Sequence, residues 1–150
     1  MLFRSVLRET QAVMRDTGVG VYDLEIIRIG EQFKVSDHAA LMDIGKTLGA
    51  KAVLIAADDA NESRLADNYA ALCDAMRPYG LTADLEFMPW TAVKDAKSAM
   101  RVVELAGRPS NAGILVMPCT LVVPPPAWQT SPPSHASCCT TRRCVTHKRV

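Results

Sequence analysis

The chain has 150 residues, 49% of them apolar and 22% charged, a globular balance that excludes a disordered polypeptide. Seventeen Lys and Arg against sixteen Asp and Glu leave a net charge of +1, without the basic excess of a nucleic-acid or anionic-membrane binder. No apolar run approaches the roughly 20 residues of a membrane span, and Arg4, Arg8, Glu9, Arg15 and Asp16 interrupt the first segment too often for a secretory signal, so a cytoplasmic chain is expected.

Met1 to Thr17 reads as a helix ended by Gly18, and Gly18-Val19-Gly20 reads as a turn ahead of a strand. Four apolar, β-branched-rich segments then recur: Val19 to Ile29, Lys51 to Ala57, Leu81 to Phe87 and Ala112 to Val116, with starts 32, 30 and 31 residues apart. Helical spacing fills the intervals. Ala40, Leu41, Ile44 and Leu48 share one face; Leu65, Tyr69, Leu72 and Met76 share another; Ala96, Ala99, Met100, Val103 and Leu105 or its neighbours a third. Ser36, Asn61 and Thr91 stand where N-caps are expected, and Gly49, Gly80 and Gly107 follow the helical stretches. Alternating strand and helix without hairpin signals predict right-handed crossovers and a parallel sheet, either doubly wound or part of a βα barrel. No G-x-G-x-x-G follows a strand, and the even spacing favours the barrel.

The composition changes abruptly at Met117. All sixteen acidic residues and all eight glycines precede it, whereas residues 117–150 hold six of nine prolines and four of five cysteines. Thirteen basic against sixteen acidic residues give −3 before the break, and four basic against none give +4 after it. Pro124-Pro125-Pro126 and Pro132-Pro133 prevent helix, and Ser131 to Thr146 has no apolar period. Residues 1–116 are therefore taken as the folded domain and 117–150 as a disordered tail.

In βα folds the chemistry gathers at the C-terminal ends of the strands. Glu25 falls late in the first strand, Asp58 and Asp59 close the second, and Glu86 ends the third, ahead of Phe87-Met88-Pro89-Trp90. Carboxylates at successive strand ends converge on one rim, where they can hold a divalent cation or move protons. The plainer reading is that strand-end acids cap the next helix or stay solvated, and it suits Asp58 and Asp59. It suits Glu86 less well, because Leu85 and Phe87 make an apolar strand in which a lone carboxylate is costly. His38 reads as an exposed first-turn residue, Cys73 as a small buried one, and Trp90 as either a ligand wall or loop packing.

Residues 5–116 resemble the sugar phosphate isomerase/epimerase family of xylose isomerase-like barrels. The resemblance is carried by Val21-Tyr22-Asp23-Leu24-Glu25, Ala56-Ala57-Asp58-Asp59, Leu72-Cys73-Asp74 and, most distinctively, Asp84-Leu85-Glu86-Phe87-Met88-Pro89-Trp90. It implies an α/β fold, here a partial (β/α) TIM-type barrel of about four parallel strands with alternating helices. It also implies a divalent cation (Mn, Mg, Co or Zn) with Glu86 as metal ligand and catalytic acid–base group, and Glu25, Asp58 and Trp90 lining the pocket for a sugar or polyol. The implied reaction is carboxylate-mediated proton transfer through an enediolate-like state.

Three departures accompany the resemblance. The chain begins at a helix, so two strands of a comparable barrel are expected to be missing; it ends after the fourth strand; and Met117 stands where the pattern wants Asp. Met117-Pro118-Cys119-Thr120 must be encoded ATG CCN TGY ACN, which one base earlier reads NAT, GCC, NTG, YAC and permits Asp-Ala-Leu-His, the expected continuation. Residues 117–150 are accordingly read as a shifted-frame product. A metal knuckle from Cys138, Cys139, Cys144 and His147 is the rival, with poor ligand spacing.

This reading leads to a chain that is inactive by itself and self-associates through open sheet edges. Two other classes stay open. One is a noncatalytic βα module that joins a partner chain. The other is a related metal-dependent endonuclease, which would need a histidine cluster and a basic groove, whereas residues 1–116 hold His38 alone.

Overall fold

The computed structural model describes residues 2–117. Expectations for residues 118–150, including disorder, the shifted frame and the Cys138–His147 knuckle, lie outside the described residues. The elements are α1 (Leu2–Thr17), β1 (Asp23–Ile29), α2 (Ala39–Leu48), β2 (Ala52–Ala57), α3 (Glu62–Met76), β3 (Thr82–Glu86), α4 (Ala96–Leu105) and β4 (Ala112–Leu115). The strands are parallel and lie in chain order, β1-β2-β3-β4. A doubly wound sheet reverses its order at a switch point, whereas a βα barrel runs on in sequence. The partial barrel is the observed architecture.

Alternation along the strands sorts the sheet into two faces. Ile27, Ile29, Val53, Ile55, Ala57, Ala83, Leu85 and Phe87 pack in one core with Met42, Leu65, Tyr69, Leu72, Met76, Ala99, Val102 and Val103 from α2, α3 and α4. Each of the larger side chains contributes about 1.5–3 kcal/mol by leaving water. The stripe anticipated on α3 points inward, whereas on α4 only Ala99 and Val103 of the anticipated stripe do so, joined by Val102, and Met100 and Leu105 are 52% and 54% exposed. Gly45 lets α2 approach closely: a Cβ there would sit 3.0 Å from Leu24 Cδ1 and 3.2 Å from Leu81 Cδ1.

The helix ends follow local chemistry. Gly18, Gly49, Gly80 and Gly107 all have positive φ, between 69° and 79°, as their positions after the helical stretches predicted. Asn61 caps α3, accepting the Arg64 N–H at 3.0 Å. The other two caps differ from expectation. Ser36 lies inside a 3₁₀ turn (Val35–His38), and its carbonyl accepts the Ala39 N–H, so the backbone satisfies that donor at the start of α2 without a side-chain cap. Thr91 serves the preceding loop, with Oγ1 at 2.9 Å from both Met88 O and Val93 O. Asp95 caps α4 instead, in a reciprocal box with Ser98, its carboxylate accepting the Ser98 N–H at 2.7 Å while Ser98 Oγ accepts the Asp95 N–H at 3.1 Å. A better cap close to the helix displaced the one that only looked right by distance along the chain.

Two polar side chains, Tyr69 buried and Asn111 half-buried, tie the centre together. The Tyr69 hydroxyl donates to Ala83 O at 2.7 Å, and Asn111 Nδ2 donates to Cys73 O at 2.8 Å and Leu81 O at 3.1 Å. Cys73 is fully buried, as expected, and burial pushes its thiol up to about 12, so it is an inert packing residue.

Candidate active site on the helix-free face

The other face of the sheet carries the polar groups. Pairing aligns two rows across it. Leu54, Asp84 and Gly113 form the lower row, with Glu25 and Ile26 both falling opposite Leu54 where the β1 register slips by one residue. Arg28, Ala56, Glu86 and Leu115 form the upper row, nearer the C-terminal rim. Asp58 continues β2 just beyond that row.

Glu86 ends β3 and is 8% exposed, flanked across the row by Ala56 and Leu115, themselves buried. It makes no hydrogen bond or ion pair among the described residues. Burial alone therefore acts on its carboxyl and pushes it above the ordinary glutamate range. A carboxylate so placed is a better base than a solvated one, and its acid form persists closer to neutral pH.

The other strand-end acids have different surroundings. Asp59 is 3% exposed and belongs to α3: it accepts Arg64 Nε at 2.7 Å, Arg64 Nη2 at 2.9 Å and the Asn61 N–H at 2.8 Å. The Arg64 guanidinium, then the Asn61 amide, hold its carboxyl below the usual range. Asp59 thus braces the β2–α3 loop against the first turn of α3, whose cap is Asn61 rather than the strand-end acid. Asp58 instead stands at the rim, half-exposed, 3.2 Å from Arg28 Nη1. Glu25 is exposed on the edge strand, and Trp90 is 70% exposed in the loop after β3. His38, expected on the surface, is half-buried and stacked on Phe33 with centroids 5.3 Å apart.

Two residues on this face escaped the sequence reading. Asp84, 5% exposed, precedes Glu86 by two and so shares its face; a Cβ on Gly113 would collide with its Oδ1. Period-two alternation was enough to find it. Arg28 was legible only through pairing, because the slip at Glu25 and Ile26 decides which β1 side chains turn to this face.

The residues present fall short of a metal centre. Among the described residues no three His, Cys, Asp or Glu side chains come together in a group that could hold an ion. Glu86 offers one carboxylate and Asp58 is engaged by Arg28, whereas a labile divalent cation needs several oxygen ligands. Also among the described residues, no helix is long and apolar enough to cross a membrane.

No protein-family model matches the sequence, and no curated protein matches it. Solved structures do. A xylose isomerase-like TIM barrel/4-hydroxyphenylpyruvate dioxygenase fusion protein superposes with a TM-score of 0.62 at 18% identity, over 72% of this chain and 19% of that protein. This chain has the fold of a xylose isomerase-like barrel, in part. The IolI protein, crystallised with a bound zinc atom, superposes with a TM-score of 0.50 at 20% identity, over 60% of this chain and 40% of that one. The chain thus spans less than half the length of either neighbour, and its helix-free face corresponds to part of a barrel lumen.

Proposed function

We propose that residues 2–117 are an arc of a sugar isomerase- or epimerase-type barrel in which Glu86 moves a proton on a sugar, sugar phosphate or polyol-derived ketone. The observation that carries the proposal is a buried carboxylate, raised by burial, on the lumen face at the C-terminal end of a central strand. A proton on carbon next to a carbonyl passes to the Glu86 carboxylate, leaving an enediolate. Its return to the neighbouring carbon, with the hydroxyl proton passing between the two oxygens, isomerises the substrate; epimerisation needs a second proton donor on the opposite side of the same carbon. Glu25, Asp58 and Trp90 are proposed to line the substrate pocket, with the Arg28–Asp58 pair offering a hydrogen-bonding rim for hydroxyls. A divalent cation, as in the zinc-bound neighbour, would polarise the substrate oxygens. The described residues supply only Glu86 toward it, so its other ligands would have to come from elsewhere.

The test is solvent-deuterium incorporation, followed by NMR, into a panel of aldose and ketose phosphates and inositol-derived ketones, with and without Mn²⁺ or Zn²⁺. Exchange at one carbon that falls at least 100-fold in Glu86→Gln supports the reading. Exchange unaffected by that substitution would refute it. The noncatalytic alternative has one observation in its favour, the exposed apolar stripe on α1.

A further inference from the structure

We infer that Arg28 anchors the substrate by an oxyanion, a phosphate ester or a carboxylate, carried at the end away from the carbon that Glu86 serves. The inference rests on the proton-transfer reading above and narrows its substrate to an anionic sugar derivative. Three observations lead there. First, Arg28 and Glu86 lie in one row of the helix-free face, Arg28 opposite Ala56 and Ala56 opposite Glu86. Ile27 and Ile29, the neighbours of Arg28 along β1, are buried in the core against the helices, so alternation turns Arg28 to the same side of the sheet as Glu86. Two strand spacings of about 4.8 Å set their backbones ~10 Å apart. In that row nothing larger than the methyl group of Ala56 stands between the guanidinium and the carboxylate.

Second, the guanidinium has capacity to spare. The Arg28 side chain is 56% exposed, and its pair with Asp58 is a single contact, Nη1 to Oδ2 at 3.2 Å. A guanidinium carries several N–H donors in a planar fork that fits two oxygens of a phosphate or carboxylate at once. The Asp58 side chain is itself 44% exposed, and an exposed pair of this kind is weak enough for a ligand to displace. Third, the charge on this face is uneven. In the two rows and at the rim Arg28 is the one cation among the described residues, against Glu25, Asp58, Asp84 and Glu86. An arginine that served to neutralise the buried carboxylates would lie against them. Arg28 pairs with the half-exposed Asp58 and leaves the buried Glu86, two strands away, without an ion pair among the described residues.

The spacing has a chemical consequence. A substrate held by its anionic end at Arg28 presents the carbons at its other end to the Glu86 carboxylate. The fork fixes distance and orientation together, so binding at a remote group lowers the barrier to proton removal. Asp58 holds the fork on this face and yields it to the anion. It therefore competes with the ligand: removing its charge tightens binding, whereas removing Arg28 weakens it. A neutral sugar offers Arg28 hydroxyl oxygens only, and these accept weaker hydrogen bonds than an oxyanion does.

The experiment is isothermal titration calorimetry on the full chain at fixed ionic strength, with fructose 6-phosphate against fructose and glucuronate against glucose as probes. Wild type is expected to bind at least one anionic probe about tenfold or more tightly than its neutral partner, and the member that does so tells phosphate from carboxylate. Arg28→Gln should abolish the preference, and Arg28→Lys should restore part of it, by charge without the fork. Asp58→Asn should tighten binding of the anion. Arg77→Gln, the same change of charge at an exposed arginine paired with Asp74, should leave the preference unaltered. Circular dichroism checks that each variant is folded, and the Asp58→Asn arm stands even where Arg28→Gln does not fold. Equal affinity for anionic and neutral probes, or no binding of either anion, overturns the proposal. So does a preference that survives Arg28→Gln in a folded protein, an equal loss in Arg77→Gln, or looser binding in Asp58→Asn. Proton exchange at carbon is not among these readouts. An Arg28-dependent preference beside exchange indifferent to Glu86→Gln fails the proton-transfer reading alone, and Glu86-dependent exchange without an anion preference fails this one alone.

Discussion

The centre of the sheet and its α1 edge are built from the same kinds of residue and end in opposite states. In β2 every residue from Ala52 to Ala57 is buried, and Leu85 in β3 is 0% exposed in the same core as Tyr69 and Leu72. At the edge, Val13 and Val19 are 59% and 66% exposed although α1 is as clearly amphipathic as any helix in the chain. Hydrophobic patterning specifies a face, but burial needs something to cover it. The centre finds its cover within the chain. The edge finds none among the described residues.

Substitutions can break or sharpen this contrast. The largest expected effect is at the centre. Leu85→Ala should cost about 2–5 kcal/mol in urea unfolding, with a cavity left between β3 and α3, and the cost should not vary with protein concentration. Val13→Ala should be worth less than about 0.5 kcal/mol, as expected for a position 59% exposed. Equal losses at the two sites would erase the distinction.

The smallest expected effect has the opposite sign. Glu86 sits in the centre yet destabilises it, because burial raises its folded pKa above the unfolded value. Between those two values the folded state binds more protons than the unfolded state, so the stability tied to this group is full at acid pH and falls as pH rises. Glu86→Gln should thus be nearly neutral below pH 4 and stabilising at pH 7.5. Asp59 runs the other way: Arg64 lowers its carboxyl, so its contribution is present at neutral pH and lost on acidification. A Glu86→Gln gain that shrinks as pH rises would contradict the assigned cause.

Much of this was legible in the chain itself. The thirty-residue spacing gave four strands and their parallel order, because each βα unit must traverse the sheet and return, and the four glycines marked the helix ends. Glu86 stood out because an acid between Leu85 and Phe87, in a strand expected to be covered on both faces, is costly to leave unpaired, and it is 8% exposed. What escaped depended on partners far along the chain or on competition between near neighbours. Asp95 outcompeted Thr91 as a cap through its exchange with Ser98, a four-atom geometry that spacing alone does not reveal. Arg28 reached the lumen face through a register slip that exists only once β1 meets β2. Asp58 and Asp59, adjacent and chemically identical, parted because alternation sends one to the rim and the other to Arg64.

The most direct test of the account is a ¹³C-detected NMR titration of the Glu86 carboxyl, assigned by its disappearance in Glu86→Gln. The account predicts a midpoint clearly above the ordinary glutamate value of about 4.3, with burial as the cause. A midpoint at or below that value would mean a solvated or cation-paired carboxylate, and the proposed proton-transferring role of Glu86 would lose its physical basis.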